Sequence, residues 1–265
     1  MSNRNRQVRL STEMLFAVLV SAAVVYLASQ RIGQQIAPGT VGRFLAALMM
    51  ILLMGCVLKW TGLLRFTGRK AALQSVTVLV TAVSVISGGL AVSAFAVQTG
   101  LPLTAEDVSR AVSGAASGAA SGSSAFFTIL TFVIAVPISE EIIFRGAAYG
   151  ALRCRMSMIP AGVTAGALFA LVHGPCAGAA AAFISGFLLC ILYEITENLA
   201  APMIVHGVNN CMSLTGGISV TGVTIWIVII VGLVVCAAGC RGMIKIAALT
   251  DRERRKETEP IDRTK

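Results

Sequence analysis

Long apolar runs, each closed by a short polar or glycine-rich stretch, set the pattern of this chain. They are Met14 to Ser29, Phe44 to about Leu64, Ala72 to Val97, a fourth starting at Ala125, then about Met158 to His173, about Ala177 to Tyr193, about Pro202 to Leu214, and Val223 to Cys240. A helix of ~20 apolar residues spans the hydrocarbon core of a bilayer. The pattern therefore predicts an all-α fold, a polytopic membrane helical bundle of about eight transmembrane helices. The first run follows Arg4, Arg6 and Arg9 and ends on the small residues Ala28 and Ser29. A cleaved signal peptide has that shape, but the many spans that follow favour a retained first span. Between Gln98 and Ser124 the chain turns to Leu-Pro-Leu-Thr-Ala-Glu-Asp and then repeated Ser-Gly-Ala-Ala, the composition of a flexible connection. Within it Gly114, Gly118 and Gly122 keep the spacing of a close-packing helix. The expected organisation is a three-span region over 1–124 with its loop at 98–124, a core over 125–214, and a last span with a charged tail over 215–265.

Composition supports the membrane reading. Hydrophobic residues make up 56% of the 265 positions and charged ones 12%, with mean hydropathy +0.84. Soluble domains carry about 25% charged residues. The net charge of +9 would suggest a nucleic-acid partner in a soluble chain, yet here the basic residues sit at the ends of apolar runs. With the sides assigned alternately, 18 of the 21 Lys and Arg fall on the side of the termini, and only Arg31, Arg43 and Arg110 on the other. By the positive-inside rule both termini are expected in the cytoplasm. The implied surroundings are the lipid bilayer, with no nucleic acid, and the oligomeric state is not legible. The seven cysteines are scattered without a Cys-x-x-Cys or Cys/His cluster, so no disulfide framework or structural zinc site is indicated.

One run carries chemistry. Ile138 to Gly146 reads Ile-Ser-Glu140-Glu141-Ile-Ile-Phe144-Arg145-Gly, placing three charges within an apolar span, where an ionisable residue signals function. On a helix Glu141 and Arg145 share a face and can pair, while Glu140 is turned roughly 100° away and stays available. Glu194 and Glu197 read as membrane-boundary residues. Both histidines of the chain lie in later apolar runs, His173 four after Phe169 and His206 four before Asn210. Glu140 and His173 lie at similar distances from a turn near Met156, ~25 Å by helical rise, so an antiparallel hairpin brings them level. Gly146 and Gly150 on one arm and Gly162 and Gly166 on the other allow close approach. His206 follows the turn near Asn198 by only ~12 Å of helix. Either the fourth helix breaks after Arg145 or the helices enter at different heights.

Glu140-Glu141-x-x-x-Arg145, Phe169-x-x-x-His173 and His206-x-x-x-Asn210, in this order, resemble the intramembrane proteases that include the type II CAAX prenyl endopeptidases and the bacterial bacteriocin-processing, self-immunity and lysostaphin-resistance proteins. The resemblance covers about Phe126 to Leu214 and implies a catalytic core there. It implies an endopeptidase acting on a membrane-associated peptide or protein, with Glu140 as general base on a water, His173 holding or polarising that water, and His206 with Asn210 lining an oxyanion hole. Glu141, Arg145 and Phe169 would support the site. Residue chemistry agrees: a glutamate shielded from bulk water suits a base, and donors one helical turn apart can share one oxyanion. The resemblance implies no cofactor and no metal, although two His plus Glu could ligate zinc. Two other functions fit the residues: a proton-coupled transporter using the same groups as a relay, and a non-catalytic immunity protein.

Overall fold

The computed structural model describes residues 11–36, 39–66, 71–99, 122–173, 177–214 and 223–258. Most of the glycine-rich connection, with Gly114 and Gly118, lies outside the described residues, as do Arg4, Arg6 and Arg9, Cys176 and the end of the basic tail. Among these described residues eight helical rods follow in order: α1 (Thr12–Ile36), α2 (Thr40–Thr61), α3 (Ala71–Thr99), α4 (122–153), α5 (Met158–Leu171), α6 (Ala177–Thr196), α7 (Ala200–Leu214) and α8 (Val223–Thr258). There is no strand among the described residues, and the fold is the all-α polytopic bundle that the apolar runs predict. Six rods are long and apolar enough to cross a membrane. The other two, α5 with 14 residues and α7 with 15, reach only ~21–23 Å against the ~30 Å of hydrocarbon.

Two large cores divide the bundle among the described residues, beside a small third cluster of Ala94, Ile225 and Ile229. One gathers Met50, Met54 and Leu58 of α2, Ile142, Ile143, Phe144 and Tyr149 of α4, and Phe169 of α5. The other joins Val85 of α3 to Cys236 and Met243 of α8 through Leu188, Leu189, Ile191 and Leu192 of α6. Helix α6 faces both, with Cys190 and Tyr193 on the first core, so it is the wall between them.

The glycines of α4 and α5 work differently from the sequence expectation. Gly162 and Gly166 do not seat α4; a Cβ on either would meet Phe187 of α6, and the α-carbon of Gly166 lies 3.1 Å from the Cβ position of Gly186. Gly146 of α4 faces Leu58 of α2 instead. The reason is that each helix has more than one neighbour, and the large residues opposite these notches come from α6 and α2. The hairpin of α4 and α5 meets through aromatic rings, with Phe144 and Phe169 edge to face at 5.0 Å.

Nor does α4 break after Arg145. It runs unbroken to Arg153 with two stretches of wider π-helical turn, Leu130–Ala135 and Ile142–Tyr149, on either side of the α-helical Val136–Glu141. Pro137 accounts for the first. A proline inside a helix has no N–H and crowds the carbonyl four residues back, and one extra residue in the preceding turn relieves that crowding. The N–H of Val136 then bonds the carbonyl of Thr131, five residues back. In that register Phe132 O is due a donor from Pro137, which has none.

Candidate active site

Helix α4 supplies the acids, α5 the central ring, and α7 the second histidine. The side chains of Glu141 and Arg145 are both 0% exposed and pair at 2.6 Å (Arg145 Nη1 to Glu141 Oε1), the contact their four-residue spacing allows. Arg145 also donates through Nη2 to Gly186 O of α6 at 3.4 Å and lies over the ring of Phe169 at 4.5 Å. Partnering from three helices makes burial of this guanidinium tolerable, since an unpaired buried charge is strongly unfavourable.

His206 lies between the two glutamates. Its Nδ1 stands 2.8 Å from Glu141 Oε1 and its Nε2 3.7 Å from Glu140 Oε2. Glu141 is therefore shared by Arg145 and His206, and the imidazole is turned edge-on toward Glu140. Two carboxylates thus face one imidazole: Glu141, held to Arg145 and bonded to Nδ1, and Glu140, near Nε2 but beyond direct hydrogen-bond reach at 3.7 Å.

Gly207 lets α7 reach this position. A Cβ there would lie 2.7 Å from Val133 O, the carbonyl four residues before Pro137. Three residues on, Asn210 Nδ2 donates to Phe132 O at 3.0 Å. That carbonyl is the one Pro137 leaves without a backbone donor in the wide turn, so Asn210 fastens α7 to the altered stretch of α4. Its amide keeps a second N–H, because a carboxamide has two donors.

His173 closes the end of α5. Its Nδ1 donates to Phe169 O at 2.7 Å, which puts the ring proton there and leaves Nε2 as the acceptor in the neutral form. Phe169 is the hub: its ring lies 4.4 Å from that of His173, 5.6 Å from that of His206 and 5.0 Å from that of Phe144. Phe169 is 2% exposed, part of the first core, and its ring lies against those of both histidines. Glu140 is 7% exposed. Among the described residues no three His, Cys, Asp or Glu side chains are grouped to hold a metal ion.

Several residues around the site were not singled out from the sequence. Tyr26 of α1 packs its ring edge to face on Phe144 at 6.0 Å. Arg43 of α2 lies over the ring of Phe132 at 5.4 Å. Nearer the end of α4, Tyr149 donates to Glu194 at 2.8 Å, and Arg153 holds both oxygens of Glu194 at 2.8 and 2.9 Å. Glu194, taken as a boundary residue, ties α4 to α6. A signal existed for Arg43, one of three basic residues on the sparsely charged side, and none for Tyr26, whose phenol lies in an ordinary apolar run.

Residues 122–212 match the family model of the Rce1-like type II CAAX prenyl endopeptidases. That stretch contains Glu140, Glu141, Arg145, Phe169, His173, His206 and Asn210. No curated protein and no solved structure matches the chain. The matched segment thus lies within a chain that has six helices long and apolar enough to cross a membrane, the build of a multi-pass membrane protein.

Proposed function

We propose that this membrane protein, whose residues 122–212 are of the Rce1-like type II CAAX prenyl endopeptidase kind, hydrolyses a peptide bond of a membrane-associated peptide or protein with a water activated by Glu140. The observation that carries the reading is the placement of His206 between two carboxylates of unequal duty. Glu141 is bound to Arg145 and to His206 Nδ1, while Glu140 faces His206 Nε2 at 3.7 Å. Glu140 takes the proton of the attacking water. His206 Nε2 then has a proton to offer the developing oxyanion or the leaving amine, with the second N–H of Asn210 as a further donor. His173 Nε2, the lone-pair nitrogen, orients the water.

The mechanism uses no metal. A catalytic zinc normally holds three protein ligands besides its water, and taking His173, His206 and a glutamate would draw either on Glu141, already given to Arg145 and His206, or on the base itself. A bacteriocin-type or other membrane peptide is the substrate class we propose, on the resemblance alone. Both termini are cytoplasmic, on the 18 to 3 distribution of basic residues; reporter fusions at Ser117 and Lys265 should then report opposite sides.

The test is purified protein in detergent against a library of quenched-fluorescence apolar peptides. Wild type should cleave a subset, activity should survive prolonged chelation, and Glu140→Gln should lose ~10²–10⁴-fold while keeping its melting temperature. Stoichiometric zinc in active wild type, lost together with activity in His206→Ala and partly restored by added zinc, would overturn the metal-free mechanism. Undiminished cleavage by Glu140→Gln would overturn the assignment of the base.

A further inference from the structure

Of the three prolines in the described helices, two stand where a helix has no use for the missing N–H. Pro160 and Pro202 lie in the first turns of α5 and α7, which begin at Met158 and Ala200, and the first N–H groups of a helix have no carbonyl to meet. Pro137 lies midway along α4, where a donor is missed. Because Val136 N–H goes to Thr131 O, Phe132 O receives no backbone donor from residue 136 or from residue 137. Helix α7 meets this gap twice: Asn210 Nδ2 donates to Phe132 O at 3.0 Å, and the bare face of Gly207 lies against Val133 O, which a Cβ would approach to 2.7 Å. The start of α7 is held separately, with Leu199 N–H on Arg65 O at 2.9 Å and the Leu199 side chain 3.7 Å from the Cβ position of Gly146. His206 lies between these two attachments, one turn before Asn210, so they set its height and rotation.

We propose that Pro137 is a positioning residue for His206: by withholding an N–H it reserves carbonyls of α4 for α7, and so fixes the imidazole between Glu140 and Glu141. The inference rests on the protease reading above and deepens it, since His206 is the proton donor of that mechanism. Pro137→Ala supplies the donor that α4 lacks. The new N–H competes for Phe132 O in the wide register, or takes Val133 O in an ordinary turn and leaves Val136 N–H to take Phe132 O. Either way Asn210 loses its exclusive acceptor, and α7 is free to shift. A displacement of about 1 Å in a positioned group can lower a rate ~10²-fold. Proline is the poorest helix former, so its removal favours the helix and counters the loss of the clasp in stability. A purely structural proline would not give lower turnover at undiminished stability.

The experiment uses the full chain in detergent, a library peptide that wild type cleaves, and a double-mutant cycle of Pro137→Ala with Asn210→Ala read both in kcat and in melting temperature. Pro137→Ala should lower kcat ~10–100-fold with KM within about twofold, and melt close to wild type. Asn210→Ala should lower kcat and melting temperature in the wild-type background and add little to either loss once Pro137→Ala is present, because the two residues act on one carbonyl. The ester form of Pro137→Ala, made with lactic acid in place of alanine and so again without an N–H, should recover most of the wild-type rate. Additive losses in either readout, or wild-type kcat in Pro137→Ala, would sink the proposal. Should Pro137→Ala not fold, the ester form decides alone, and its failure to fold and cleave near the wild-type rate would sink it equally. If instead wild type and Glu140→Gln treat every peptide alike, it is the protease reading that falls, and the melting cycle still reports, apart from activity, whether Pro137 and Asn210 share one carbonyl.

Discussion

Helix α4 carries two arginine-centred ion-pair clusters, at Arg145 and Arg153, eight residues apart, and they are built to opposite specifications. At Arg153 the guanidinium holds both oxygens of Glu194 through Nε and Nη2, Tyr149 donates to the same carboxylate, and Nη1 donates to Met156 O at 2.8 Å. This cluster is part-exposed, with side chains 24% and 14% accessible. At Arg145 the pair is wholly buried and less completely matched: Glu141 Oε1 serves both Arg145 and His206, while Glu141 Oε2 and Arg145 Nε carry no hydrogen bond among the described residues. A structural staple satisfies its atoms and sits near water. The Arg145 cluster instead concentrates two partners on one oxygen of Glu141 and keeps a second carboxylate, Glu140, close by, at a cost in stability that the surrounding helices must offset.

Three measurements would break or sharpen this contrast. The largest expected effect is on folding: Arg145→Ala or Glu141→Gln should destabilise by about 3–5 kcal/mol, the usual result of stranding one partner of a buried pair. Thermal melts in one detergent, with Glu140→Gln alongside as the near-neutral control, would show it. Equal melting of all three would mean that the two glutamates do not divide their duties.

Next, His206→Ala should cut turnover ~10²–10³-fold, the effect of losing a donor to the oxyanion, with peptide binding retained. It should also lower stability modestly, since Glu141 keeps Arg145. A variant that binds and cleaves at the wild-type rate would leave His206 a purely structural link between α4 and α7.

The smallest effect belongs to the staple. Arg153→Ala should cost about 1 kcal/mol, in the range of part-exposed ion pairs, and leave kcat unchanged. A double-mutant cycle of Arg153→Ala with Glu194→Gln against one of Arg145→Ala with Glu141→Gln would compare the clusters directly. A coupling energy at Arg153 equal to that at Arg145 would erase the distinction drawn here.

Much of this was legible before any fold was known. Runs of apolar residues fix helices because each span must satisfy its own backbone in lipid, and each of the eight described rods covers one run, with α8 continuing past Cys240 to Thr258. Local spacing also determines local contact. Glu141 and Arg145 meet because residues four apart share a helical face, and His173 reaches Phe169 O for the same reason. The order of motifs pointed to Glu140, His173, His206 and Asn210 as one set.

What only the tertiary structure decided concerns partners between helices, where spacing is silent. The depth count treated α4 as uniform, but Pro137 widens the preceding turn and frees carbonyls at Phe132 and Val133. Asn210 and Gly207 of α7 then meet them, so Asn210 acts first as a fastener for α4. His206 proved to bridge the two glutamates, because its neighbours depend on how α7 is rotated and not on its own sequence. The glycine notches found larger partners in α6 and α2 than in each other. Tyr26, Arg43 and Glu194 entered the picture only through packing, since a phenol or a lone charge in an apolar run has no meaning until the helix beside it is known.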